Sequence, residues 1–307
     1  MKMNHLFFIV LLMLAEKSIA QGCSDAGFCT IGNIHPGKES TADEKKQQLS
    51  LILSSGIGDE KVFVFTPGIQ YDNKLNSHWA IQAKLTGNYA NGNLGNASGL
   101  GDVFLSGIYS LNKKNNWNTS FLLGTKLPLN NSNLKAGNKP LPLQYQSSLG
   151  TVDIITGLST TNNKWFFAAA LQQPLTGTNG NNFLPAYWNT AAANKYTAGN
   201  DFKRKGDFLL RANYTAINKA RLHFNIGLLG IYHLGRDTYI DGNISNQPIE
   251  LKGSEGITLN GTAALRYKIS TSFSLGLSGG IPLAVRDIRP DGLTRKFTIA
   301  PEIIFKF

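Results

Sequence analysis

Counting back by twos from Phe307 places Phe307, Phe305, Ile303, Pro301, Ile299 and Phe297 on one face, and Lys306, Ile304, Glu302, Ala300 and Thr298 on the other. A two-residue period with unlike faces marks a β-strand. The alternation recurs in "RLHFNIGLLGIYH", where Leu222, Phe224, Ile226, Leu228 and Tyr232 oppose Arg221, His223, Asn225 and His233. Followed along the chain, it predicts twelve strands: Gln47–Ile57, Val62–Tyr71, Trp79–Tyr89, Gly101–Leu111, Trp117–Leu127, Leu149–Leu158, Trp165–Leu171, Gly206–Ile217, Leu222–His233, Ile257–Ile269, Phe273–Leu283 and Phe297–Phe307. No stretch carries a helical period of any length, so the pattern implies an all-β protein.

Alternation suits a soluble sandwich and a membrane barrel equally; the connections separate the two. Even-to-odd links are short and polar: "DNKLNSH", "NKKNN", "STTNNK", "NKAR" and "STS". Odd-to-even links, after a tight "GDEK", are long, from "ANGNLGNASGL" to the stretch 172–205. Short turns at one end, long loops at the other and an even strand count predict a transmembrane antiparallel up-and-down β-barrel of about 12 strands. Trp79, Trp117 and Trp165 each open an odd strand just after a short turn, at the depth of an interfacial girdle. In that frame the last strand pairs with the first, leaving no free edge in outer-membrane lipid. Phe305 and Phe307 are then expected to form the terminal aromatic signal read by the barrel-assembly machinery.

The front of the chain predicts export. Met1–Ala20 carries Lys2, an apolar run from Leu6 to Leu14 and then Ser18-Ile19-Ala20, the pattern of a secretory signal peptide cut after Ala20. That run falls short of the roughly 20 residues of a membrane helix. Cys23 and Cys29, in "QGCSDAGFCT", are expected to form a disulfide in an oxidising compartment, with Gly27 easing the turn. Unpaired thiols are one alternative. Lipid attachment at Cys23 is another, opposed by Ala20-Gln21-Gly22, which lacks a large aliphatic residue three places before the cysteine. The chain thus divides into a signal peptide (1–20), a polar periplasmic segment or lumen plug (21–46) and the barrel (47–307).

Composition agrees: 16% charged residues and 32 glycines are too few charges and too many glycines for a soluble exported enzyme of 307 residues. Formal net charge is +11, and losing Lys2, Glu16 and Lys17 with the leader removes one net positive charge and leaves +10. Export argues against nucleic acid as the partner, leaving an anionic surface or anionic solutes.

Three segments, "GLGDVFLSGIYSL", "SLGTVDIITGLSTTNNKWFFAAALQQPL" and "GDFLLRANYTAI", resemble the outer-membrane transporters grouped with the meta-pathway phenol-degradation proteins, distant neighbours of the long-chain fatty-acid channels. The resemblance is clearest from about Gly99 to Leu175. It implies uptake of small, often hydrophobic molecules without catalysis. Gly101, Asp102, Leu105 and Tyr109 also recur as Gly206, Asp207, Leu210 and Tyr214, a weak internal repeat.

A barrel phospholipase would need a serine beside a base histidine. The mature chain has only His35, His78, His223 and His233, none in a recognisable serine motif, and His223 and His233 lie near opposite ends of one strand. No metal, cofactor or paired-carboxylate spacing is found. What remains is the inward face, where alternation places Lys84, Lys126, Asp153, Arg211, His223, Arg266, Lys268 and Glu302 as candidate pore-lining residues. Arg211, Arg266 and Lys268 are expected to form a cationic patch with His223, favouring anionic solutes such as carboxylates. Two readings follow. One is a channel for passive uptake of small hydrophobic or anionic molecules. The other is a non-transporting structural or surface-recognition barrel whose lumen is filled by its own side chains.

Overall fold

The computed structural model describes residues 46–291 and 295–307. The expected leader, the Cys23–Cys29 pairing and all but the last residue of the 21–46 segment lie outside them. Twelve strands form a closed antiparallel barrel: β1 (Gln47–Gly58), β2 (Phe63–Lys74), β3 (Trp79–Gly92), β4 (Gly95–Ser110), β5 (Asn118–Pro128), β6 (Asp153–Thr161), β7 (Trp165–Pro174), β8 (Asp207–Asn218), β9 (Leu222–His233), β10 (Gly256–Lys268), β11 (Phe273–Ala284) and β12 (Arg295–Lys306). Each pairs with its sequence neighbours, and β1 meets β12 with Leu49 opposite Phe305 and Ile57 opposite Phe297. Gln47 and Phe307 exchange both backbone hydrogen bonds at 3.0 and 3.2 Å, so the seam is paired to its end.

The short turns are built by their own side chains. Asn76 Oδ1 accepts the N–H groups of His78 and Trp79, Asn162 Oδ1 those of Lys164 and Trp165, and Ser270 Oγ those of Ser272 and Phe273. One cap residue thus satisfies the turn and sets the aromatic residue that opens the next strand. Between β4 and β5, Asn115 and Asn116 take φ of 48° and 65°, the left-handed pair that a two-residue hairpin needs and that asparagine tolerates. Trp79, Trp165 and their neighbours interlock along the outer wall: Trp79 with Tyr109, Trp165 with Tyr214 and Phe167, Trp117 with Phe167.

Further along the strands the outer face is apolar on every strand, from Leu49, Ile69 and Ile81 through Leu123, Leu210 and Leu228 to Leu277 and Ile299, all exposed. A band of that extent would be an aggregation surface in water and is what hydrocarbon requires.

Two strand starts differ from the sequence reading. The stretch "ANGNLGNASGL", expected to be a loop, instead continues the β3–β4 hairpin to a tight turn between Gly92 and Gly95. Asparagines and glycines hid the alternation there; Ala90, Leu94 and Ala97 are buried on its inner side against long-loop residues. Gly92 is required: a Cβ would lie 2.4 Å from the Tyr145 hydroxyl. Conversely, β6 begins at Asp153, not Leu149, because residues 149–152 belong to the loop packed into the mouth.

That loop, 129–152, is one of four at this end with buried residues packed inward; the others are 175–206, 234–255, whose tip at 242–248 is largely exposed, and, among the described residues, 285–291. They hold two small ribbons (Lys135–Ala136 with Lys139–Pro140, Thr238–Asp241 with Ser245–Glu250) and a four-residue helix, Pro185–Trp188.

Candidate functional site

Inside the wall, the short-turn end encloses a cavity of about 740 Å³ that runs from the rim inward. Its lining changes character with position. Ser110, Ser120, Ser159 and Thr161 come from β4 to β6; His223, Arg266, Glu302 and Lys306 come from β9, β10 and β12; Ile108 and Phe166 form the inner limit. His223 and Arg266 are directly opposite in register, and the Arg266 guanidinium is 3.9 Å from Glu302 with both side chains still about a fifth exposed.

Beyond Ile108 the lumen is packed. Phe104, Ile108, Leu122, Ile155, Leu209 and Leu229 point inward from β4, β5, β6, β8 and β9 and form one buried apolar cluster, with Phe166 and Ile231 against it. The sequence reading treated the inner face as polar. Its signal was consecutive apolar residues, such as Leu122-Leu123, Ile154-Ile155 and Leu228-Leu229, in which both faces of a strand are apolar.

The long-loop end is sealed twice. The apolar seal joins Val62, Val64, Ala90 and Leu94 of the barrel to Leu141, Tyr145, Phe183 and Tyr196 of the loops, all buried. Tyr145 Oη accepts the Leu94 N–H at 3.1 Å and meets Tyr196 Oη at 3.2 Å. Burial, with the Tyr145 contact adding to it, holds the Tyr196 hydroxyl well above the usual tyrosine range.

The charged seal is a chain of ion pairs. Lys126 meets Asp153 at 2.8 Å, and Thr151 and Gln172 also donate to that carboxylate. Arg204, just before β8, bridges Asp207 at the start of β8 and Asp291 in the last loop; Asp291 also takes Arg286 at 2.5 Å. His233, at the end of β9, stands between two acids, Nδ1 2.6 Å from Asp207 and Nε2 2.8 Å from Asp237. Only a ring protonated on both nitrogens donates to both acids at once. Arg204, Arg286 and His233 are thus set against Asp207, Asp237 and Asp291 in one buried cluster. Burial opposes the charge of Asp291, but Arg286 and Arg204 outweigh it and hold the carboxyl below the usual range. At the outer margin, burial pushes Asp59 up despite Arg289 at 3.1 Å.

Of the eight charged positions expected on the inner face, His223, Arg266 and Glu302 line the cavity, while Lys84, Lys126, Asp153 and Arg211 are buried deeper and Lys268 is half-exposed on β10. The expected four-residue cationic patch is divided. Arg211 lies opposite Leu229, six residues along β9 from His223, or roughly 20 Å at about 3.4 Å per residue. Strand tilt and register, invisible to an inward/outward assignment, set that separation. Phe305 and Phe307 are exposed on the outer face, Phe305 packed on Phe273. The repeated Gly-Asp pairs perform like tasks: Asp102 accepts from Ser148 at 2.5 Å and Asp207 from His233, each tying a long-loop segment or strand end.

One contact was passed over in the sequence. Ser77 Oγ is 2.9 Å from His78 Nδ1, and His78 Nε2 is 3.0 Å from Asn112 Oδ1. The two lie in adjacent turns, the His78 ring stacks on Tyr109, and the trio braces one turn against the next.

No family model matches the sequence, and no curated protein matches it. Among solved structures the chain is similar to an outer-membrane channel from Pseudomonas putida F1, at 13% identity over 89% of this chain and 99% of that one, with a TM-score of 0.61. It is also similar to the NanC porin, at 10% identity over 84% of this chain and 98% of that one, TM-score 0.46, and to the Ralstonia pickettii toluene transporter, at 10% identity over 86% and 90%, TM-score 0.43. The first likeness gives the fold. That fold is a closed antiparallel β-barrel of the kind an outer-membrane channel has.

Proposed function

We propose that the chain is an outer-membrane channel for passive uptake of small solutes, crystallising around one observation: a closed barrel whose short-turn half holds a cavity of about 740 Å³. Short turns face the periplasm in such barrels, so the cavity is the exit vestibule and the four inward loops are a closed gate on the outside. The solute class is small anions, carboxylates among them, with an apolar portion. Arg266 and Lys306, with Lys46, Lys74 and Lys113 nearer the rim, outnumber Asp72 and Glu302 in the lining, and Ile108 and Phe166 offer the apolar surface, within one cavity. The P. putida barrel of similar fold is described as a channel, which supports transport in general. No catalytic step is part of this reading, since the Ser77–His78–Asn112 contacts serve the turns. The solute preference is tested by reversal potential in a planar bilayer under a salt gradient. Wild-type channel is expected to favour anions and Arg266→Glu to shift toward cations, while Lys296→Glu, at the outer start of β12, does little. An unchanged potential in Arg266→Glu would remove the vestibule from the conduction path.

A second reading has its own support. The apolar cluster from Phe104 to Leu229 and the buried ion pairs fill the lumen beyond the vestibule. A barrel that never opened would be a structural or surface-recognition protein presenting its loops.

A further inference from the structure

In the closed strand order, β10 to β12 stand across the lumen from β4 to β6. Toward the short-turn end each of these walls carries a row of residues in direct register, and both rows line the same cavity. One row runs Arg266, Gly276, Glu302. The other runs Ser110, Ser120, Ser159. Ile108 and Phe166 close the space between them on the inner side, and about 740 Å³ is the size of a small-molecule site.

The first row is a guanidinium and a carboxylate that face one another across β11 at a position without a side chain. Gly276 makes that gap: a Cβ there would lie 3.0 Å from Glu302 Oε2 and 3.2 Å from Glu302 Cβ, tighter than ordinary contact. The Arg266 guanidinium nevertheless stops 3.9 Å from Glu302, beyond the roughly 2.7–2.9 Å of a charge-assisted hydrogen bond, with the two side chains 18% and 19% exposed. The ion pairs of the charged seal, by contrast, close to 2.8 Å at Lys126–Asp153 and 2.5 Å at Arg286–Asp291, and their side chains are buried. A loose pair reached by water contributes little to the fold, so a second carboxylate replaces Glu302 at small cost. Glu302 thus marks where a solute carboxylate sits. The second row is a strip of hydroxyls. Ser110 Oγ and Ser120 Oγ are 3.0 Å apart, and a serine hydroxyl both donates and accepts, which suits another hydroxyl group better than a bare anion or a hydrocarbon end.

We propose that the vestibule holds a hydroxy-acid site. The carboxylate of the solute displaces Glu302 from Arg266, its hydroxyl reaches the serine row on the opposite wall, and the apolar spacer between them lies over Ile108 and Phe166. The site rests on reading the cavity as a solute vestibule, and it adds which anions are taken and how. It does not require the gate to open, because it lies on the open side of both seals.

The test is equilibrium dialysis of the detergent-solubilised full-length barrel against 6-hydroxyhexanoate or hexanoate, acids of equal charge and carbon count, with empty micelles as the blank. Wild type is expected to bind 6-hydroxyhexanoate about fivefold more tightly, the worth of about one hydrogen bond. Glu302→Gln is expected to tighten both acids about threefold, the worth of an exposed ion pair, and to keep their ratio. Asp72→Asn, which removes the lining carboxylate of β2, is expected to tighten them less. Ser120→Ala with Ser159→Ala is expected to bring 6-hydroxyhexanoate down to the affinity of hexanoate. Folding of each variant is checked by its gel shift between unheated and boiled samples, and the comparison of the two acids needs no variant. Equal binding of both acids by wild type, as large an effect from Asp72→Asn as from Glu302→Gln, or an unaltered ratio in the serine variant would overturn the proposal. Selective binding by a barrel that never conducts would keep the site and end the channel reading; conductance without selective binding would do the opposite.

Discussion

At the short-turn end the β2–β3, β6–β7 and β10–β11 turns are capped by residues a few places away in sequence, with the His78–Asn112 contact joining two neighbouring turns, and the lumen there stays open. At the long-loop end, stability comes from residues tens to hundreds of positions apart, and the lumen is shut. Asn162 caps a turn whose members end at Trp165; Arg204 reaches Asp291, and Arg289 reaches Asp59. A local cap loses one or two hydrogen bonds when broken. A network of buried charges loses its balance when one member is removed, because the remaining partners are left uncompensated away from water. The sealed end is therefore the end able to change state cooperatively, and the open end is the fixed one.

The largest break in that contrast is expected from Asp291→Asn, which takes the shared acceptor from Arg204 and Arg286. Removing one partner of a buried pair costs about 3–5 kcal/mol. The loss should appear as faster hydrogen exchange in residues 175–206 and 285–291, with strand exchange unaltered. Equal acceleration in the strands would mean that the charged seal is part of the wall and not a separate unit. Next in size is Tyr145→Phe, which leaves the Leu94 N–H without its acceptor, at a cost of about 1–3 kcal/mol; exchange should rise at the β3–β4 hairpin tip.

How much of this was legible in the sequence follows the same division. The alternation of β9 and of its fellow strands, and Trp79, Trp117 and Trp165 just after their short turns, are local, and they were enough to place twelve strands and their outward faces. The charged seal was not legible. Arg204 and Asp291 sit in different connections and His233 ends β9, and nothing near any of them in sequence distinguishes a buried ion pair from a solvated charge. Gln172 and Thr151, which complete the Lys126–Asp153 pair, gave no signal either. The apolar inner wall lay between these cases: its residues were visible as runs apolar on both faces, but a run does not say what the second face packs against.

Acid sharpens the contrast by a smaller amount. Because the Asp291 carboxyl is held below its ordinary value, its contribution is complete above about pH 4, where the unfolded carboxylate is ionised, and is lost as pH falls through the depressed value. Protease cleavage of the loops should stay slow from neutral pH to about pH 4 and rise only below it. Cleavage that rises already near neutrality would point to another group. The smallest effect belongs to the open end. Asn162→Ala removes two hydrogen bonds from an exposed turn and should cost about 0.5–1.5 kcal/mol, read as a modest fall in the temperature at which the gel shift is lost. A large fall would show that the short turns are not locally independent.

The central claim is that the lumen is a conduction path closed from the long-loop side. It is tested most directly by single-channel recording of wild-type and Asp291→Asn barrels in the same planar bilayer. Wild type is expected to open rarely, and the variant to show more frequent openings of the same or larger conductance. Silence from both, with the variant's loops exchanging freely, would contradict the claim and leave a barrel whose lumen is filled by design.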